Sequence, residues 1–143
     1  MKKLLALLCL TLTCLAHAAE RPDAGKYVKA YSGNEGVKVW ITRVGPAEKA
    51  EVLLQVTGID HPWDGLIQKA RVENRDLSRR YIIRQNGQDY IVLALDRDSG
   101  TLFLPYQPDN LRSLQLKYDE NLSSRGNPQH FLTEWLEQNE KKR

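Results

Sequence analysis

The chain has 143 residues, with 21 Lys and Arg against 18 Asp and Glu, and two cysteines, Cys9 and Cys14. Cations and anions are interspersed rather than gathered into the basic stripe that grips a nucleic-acid backbone, so no nucleic-acid partner is expected. The length suits one hydrophobic core rather than several.

Residues 1–18 read as a secretory signal peptide. Lys2 and Lys3 precede an apolar run over 4–15, and Ala16-His17-Ala18 supplies the small-residue cleavage pattern. The run is shorter than the roughly 18–20 apolar residues of a spanning helix, which argues against a retained anchor and against stable membrane insertion after processing. Acylation at Cys14 is the weaker alternative, because Thr11, Leu12 and Thr13 fit a lipoprotein cleavage site poorly. Cleavage after Ala18 would leave a periplasmic domain over 19–143. That domain has no cysteine, and therefore no disulfide, thiolate metal site or cysteine nucleophile. Removal of Lys2 and Lys3 also brings the formal charge from +3 to near +1.

Beyond a short leader with Pro22 and Gly25, the periodicity is that of strands. A short strand over 27–31 and the glycine-bearing loop Ser32-Gly33-Asn34-Glu35-Gly36 lead into GVKVWITRV, where Val37, Val39 and Ile41 share one face and Trp40 lies on the more polar one. Trp40 either packs beneath another element or stands half exposed among tyrosines. Gly45-Pro46 breaks the chain before EVLLQVTG, in which Val52, Leu54 and Val56 share a face. A weaker alternation follows over 66–73. The segments 80–85 and 89–95 flank Asn86-Gly87, a strong hairpin signal because both residues tolerate the positive φ of a type I′ turn. After the turn over 96–100 comes TLFLPY, whose Pro105 suggests an edge or a strand end. Leu114, Leu116 and Tyr118 mark a last strand. Asn127-Pro128 then starts an amphipathic helix over about 127–141, with Phe131, Leu132, Trp135 and Leu136 at helical spacing. The predicted class is mostly β: a single antiparallel barrel or sandwich of about eight short strands, with one C-terminal α-helix against an open end or face.

The stretch TGIDHPWDG over 57–65 concentrates the residue types that carry chemistry. Asp60, His61 and Asp64 could bind a metal, or His61 oriented by an aspartate could serve as a general base. Three residues of one loop rarely close a metal site, and no nucleophile elbow, phosphate loop or paired-histidine helix accompanies them. The same residues make a tight turn. Pro62 biases His61 toward extended backbone, the aspartates can bond nearby amides, Gly58 and Gly65 permit the reversals, and Trp63 would then cover an end of the core, whereas an exposed Trp63 would anchor a partner. Asp96 and Asp98 read as turn formers. Arg71, Arg75, Arg79 and Arg80, with Glu73 and Asp76 among them, read as a solvated strand-and-turn surface.

A leader followed by a small all-β domain resembles, in size and class, several periplasmic families, including bacterial lysozyme inhibitors and immunity proteins. The Ser32-Gly33 pair is similar to the serine-glycine loop of some lysozyme inhibitors. No functional residue is carried over from that likeness. The expected function is a small exported non-catalytic binding or inhibitor module that meets a periplasmic protein or an envelope polymer. Its contact residues would be Asp60, His61, Trp63 and Asp64 on one loop and Ser32, Asn34 and Glu35 on another. No cofactor and no metal is expected. The alternatives are a hydrolase or metal-dependent enzyme using His61 and its neighbouring aspartates, and a β-barrel carrier of a small apolar ligand.

Overall fold

The computed structural model describes residues 20–107 and 110–142, with side-chain environments given outside 106–111. The predicted signal peptide, both cysteines and the lipidation alternative at Cys14 lie outside the described residues. Eight strands follow one another as β1 (Lys29–Gly33), β2 (Lys38–Arg43), β3 (Glu51–Thr57), β4 (Ile67–Arg75), β5 (Ser78–Gln85), β6 (Gln88–Asp96), β7 (Ser99–Gln107) and β8 (Asn110–Tyr118). Each pairs antiparallel with the next, and β8 returns to β1 through Tyr118–Tyr31, Lys117–Ser32 and Leu116–Gly33 to close the barrel. Two helices follow, α1 (Glu120–Arg125) and α2 (Pro128–Glu140).

Alternation along the strands sorts the apolar residues into two cores. The inward series, including Val39, Leu54, Val56, Leu93, Leu102, Leu104 and Leu116, fills the barrel with buried side chains, as an eight-stranded barrel permits. The outward residues Leu53 and Ile67 join Val44 in a second core closed by Phe131 and Leu132 of α2, with Trp40, Trp135 and Leu136 packed at its margin. The C-terminal helix therefore lies on the outer face of β3 and β4, and Trp40 sits under it.

Other boundaries differ from the sequence pattern for local reasons. Residues 23–28 run beside the end of β2 instead of opening β1: the Gly25 amide donates to the Arg43 carbonyl (2.8 Å) and Ala24 bridges Val44. β4 continues to Arg75 and turns at Asp76, whose φ of 47° takes the left-handed conformation. Helix α1 was not legible in the apolar spacing, since none of its residues is buried.

The barrel is closed but not equally paired all round. The β4–β5 ladder runs from Arg75–Ser78 only to Arg71–Ile82, and the β6–β7 ladder from Asp96–Ser99 only to Leu93–Leu102. The β5–β6 hairpin continues beyond both, to Gln85–Gln88. Its tip, over 83–92, is thus a two-stranded ribbon with a seam on either side. Pro105 falls in the part of β7 that lies beyond its ladder with β6, so its missing N–H deprives that ladder of nothing.

Candidate functional site

The connections β1–β2, β3–β4 and β5–β6 lie at one end of the barrel, and the two candidate loops meet there. Lys38 pairs with Thr57, so β2 begins beside the point where β3 ends. Gly58 follows at φ 78°, and a Cβ at that position would stand 2.2 Å from the Gly36 carbonyl oxygen. Only a glycine lets the 58–66 loop lie so close against the β1–β2 turn.

Within the 58–66 loop the backbone closes on itself. Asp64 donates its amide to the His61 carbonyl (3.0 Å), Gly65 to Val56 (2.8 Å) and Leu66 to Trp63 (3.0 Å). The Asp64 carboxylate accepts from the Ile59 amide (3.2 Å), as a turn-forming aspartate does. His61 is held at both ring nitrogens: the Trp63 amide donates to Nδ1 (3.1 Å), and Nε2 lies 2.8 Å from the Pro105 carbonyl. Those partners assign the tautomer with hydrogen on Nε2. The ring spans from its own loop to β7, with both nitrogens committed to backbone partners rather than offered to a substrate or a metal.

Trp63 is the buried member of the loop, 5% exposed. Its ring packs edge-on against His61 (4.9 Å) and against Tyr90 of β6 (5.8 Å), closing the barrel interior from this end. Of the two roles open to Trp63, covering the end of the core fits this position and an exposed partner anchor does not; the side chains the loop shows to solvent are those of Asp60, Pro62 and Asp64. The Tyr90 hydroxyl is buried without a hydrogen-bond partner among the described residues, and burial pushes it up to about 12.

Of the other predicted site residues, Asn34 and Glu35 face solvent on the β1–β2 turn, where Glu35 takes φ 63° and pairs with Arg112 of β8. Ser32 has a different part. Its hydroxyl donates to Asp119 (3.0 Å), whose other oxygen caps α1 through the Leu122 amide (3.0 Å). The Leu122 N–H first, and then the Ser32 hydroxyl, hold Asp119 below the usual carboxylate range. So the geometry gathers Asn34, Glu35, Asp60 and Asp64 at one end, puts His61 and Trp63 beneath them, and sets Ser32 to work in docking α1.

Among the described residues no group of three or more His, Cys, Asp or Glu is placed to hold a metal ion. His130 sits on α2 and contacts Glu134 (3.0 Å), apart from His61. The barrel interior is occupied by its own aliphatic side chains. No helix among the described residues is long and apolar enough to cross a membrane. Comparison with known proteins gave no match to a family model, to a curated protein or to a solved structure.

Proposed function

We propose that this chain is a small, non-catalytic binding or inhibitor module exported to the periplasm, and that it meets a periplasmic protein through the barrel end built from the 34–36 turn and the 58–66 loop. The observation that carries this reading is the close approach of Gly58 to Gly36. Two loops far apart in sequence form one surface, whose Asn34, Glu35, Asp60 and Asp64 face solvent on backbone braced by His61 and Trp63. Polar side chains on a fixed backbone lose little further conformational freedom on binding, which favours recognition. The engagement of both His61 nitrogens by backbone groups argues against the enzyme alternative, and the filled interior argues against a carrier.

The export half of the proposal rests on the Lys2-Lys3, apolar and Ala16-His17-Ala18 sequence. Intact mass measurement of the protein from its host is expected to give a chain starting at Ala19. A retained Met1 would refute export, and an acylated Cys14 would replace the soluble form with a lipid-anchored one. The binding half is tested by native mass spectrometry and pull-down from periplasmic extract, with Asp60→Lys and Asn34→Arg as probes. Both residues are exposed, so the melting midpoint should hold while a stoichiometric protein partner is lost. A partner retained by both variants, or an envelope polymer recovered instead of a protein, overturns the assignment.

A further inference from the structure

The opposite end of the barrel, where β1 begins and β2 ends, carries a feature that the binding reading does not use. Lys29, Arg43 and Arg79 continue the inward-facing series of β1, β2 and β5, one alternation beyond the buried Tyr31, Ile41 and Tyr81. Where the apolar layers stop, the barrel thus presents cations at its mouth. With Lys26 and Tyr27 they line a concavity of about 270 Å³ that has Tyr81 in its floor. No acidic residue lines it. Asp98, on the β6–β7 turn, acts on Tyr31 but is not part of the lining.

Elsewhere several cations of the strands are compensated: Lys69 pairs with Glu51, Arg71 with Glu73 and Asp89, Arg84 with Asp89 and Arg112 with Glu35, whereas Lys38, Arg80 and Lys117 stand exposed on strands outside this mouth. Lys26, Lys29, Arg43 and Arg79 form no ion pair among the described residues. Like charges gathered round an apolar floor repel one another, and a bound anion relieves that repulsion. Two guanidinium groups suit a phosphate, whose oxygens accept paired N–H donors, and the lysines add point charge. Arg43 is also oriented, since its guanidinium donates to the Gly45 carbonyl.

Tyr27 adds the second half of a ligand site. Its backbone is fixed, because the Thr42 hydroxyl donates to its carbonyl (3.0 Å) and the neighbouring Gly25 amide is tied to Arg43, yet the side chain is 79% exposed. A flat, amphipathic ring on an immobile backbone beside four cations offers a face for the body that carries the anion. The concavity holds a body the size of one hexose phosphate.

We propose that this mouth binds a phosphorylated sugar, its phosphate monoester held among Lys26, Lys29, Arg43 and Arg79 and its C–H face lying on Tyr27. The same chemistry is carried by a soluble sugar phosphate and by the phosphorylated saccharide headgroup of a glycolipid. Titration of the 15N-labelled, host-processed protein with glucose 6-phosphate is expected to shift the amides of residues 26–29, 43 and 79. Inorganic phosphate should bind the same amides about tenfold more weakly, and glucose should not shift them. Arg43→Gln combined with Arg79→Gln should weaken glucose 6-phosphate by about tenfold or more at an unchanged melting midpoint, and Tyr27→Ala should reduce it to the level of phosphate. Shifts scattered over the surface, equal affinity for phosphate and glucose 6-phosphate, or tighter binding of AMP would each overturn the proposal. Sedimentation with vesicles bearing a phosphorylated glycolipid, competed by glucose 6-phosphate, identifies the lipid source, whereas glucose 6-phosphate binding without sedimentation identifies the soluble one. Equal sedimentation with phosphatidylglycerol vesicles, indifferent to glucose 6-phosphate, is charge adsorption and also overturns it. Because the mouth and the two loops lie at opposite ends, failure here leaves the Asp60→Lys and Asn34→Arg test unaffected.

Discussion

Gly58 and Gly87 share a left-handed backbone, φ 78° and 76°, but only Gly58 has something in the way of a side chain. At Gly87 nothing lies within 4 Å of an added Cβ, so Gly87→Ala should cost only the conformational penalty, about 1 kcal/mol. At Gly58 the Gly36 carbonyl oxygen would be 2.2 Å away, and the loops must separate; Gly58→Ala should cost more than about 2 kcal/mol, measured by urea unfolding. Equal losses at the two glycines would show that the loops do not abut. Trp63→Ala should cost about 3–5 kcal/mol, since it empties the end of the core. Tyr90→Phe should go the other way and stabilise by about 1 kcal/mol at neutral pH, because it removes a buried hydroxyl without a partner. The same hydroxyl sets an alkaline signature. Its folded value is raised from 10.0 to about 12, so the unfolded chain ionises first. Stability is intact below pH 10, falls as pH rises from about 10 to 12, and should fall less in Tyr90→Phe, with Tyr31, likewise raised to about 12, and Tyr81, also raised by burial, supplying the remaining slope. At this scale the turn chemistry of TGIDHPWDG was legible, because proline, glycine and aspartate act on their own backbone. That Trp63 covers an end of the core follows from the turn reading, but its partners do not, because Tyr90 and the Pro105 carbonyl that holds His61 lie far along the chain.

Helix α2 shows which parts of an element its own sequence announces. Asn127 caps it, accepting from the Gln129 and His130 amides (3.0 and 3.2 Å), and Pro128 follows at the first turn, as the residue types predict. Phe131 and Leu132 bury as their spacing demands. Trp135 is only partly buried, so Leu132→Ala should cost about 2–5 kcal/mol while Trp135→Ala costs less than a fully buried tryptophan would. Gln138 gave no signal, being one more polar residue on a charged helix. Its side chain nevertheless accepts from the Ile67 amide (3.0 Å) and donates to the Ile67 carbonyl (2.8 Å). Both Ile67 groups point away from β3, into the seam where β4 has no ladder with β5, so Gln138 takes the place of a missing strand partner. Gln138→Ala should destabilise by about 1–3 kcal/mol, as expected for two part-buried backbone groups left without a partner. A change below about 0.5 kcal/mol would mean that solvent satisfies them equally well. The hairpin at Asn86-Gly87 was legible because a type I′ turn is a local event. The length of the ladders on either side of it was not, because strand pairing is decided by partners that the hairpin's own residues do not specify.

Seen as a whole, the molecule is a barrel whose firmness varies round its circumference. The β2–β3 ladder runs unbroken from Lys38–Thr57 to Arg43–Val52, is flanked by β1 and β4, and is packed on the inside by the main core and on the outside by α2. Opening it exposes both cores at once. The tip of the β5–β6 hairpin has a ladder only within itself, and it leans on the barrel through Ile83, Val92 and the Tyr90–Trp63 contact. Local opening there breaks a few hydrogen bonds and one apolar contact surface, so it should occur without global unfolding. Native-state hydrogen exchange is expected to give the amides of 39–43 and 52–56 opening free energies near the global value. Those of 83–85 and 88–91 should be lower by at least about 2 kcal/mol. Gln138→Ala should speed exchange near Ile67 more than in β2, because it releases the seam from one side, whereas Trp63→Ala should release the hairpin from the other. Uniform protection round the barrel, or a Trp63→Ala effect spread equally over β2 and β6, would show that the bridges across the seams are as strong as the ladders they replace.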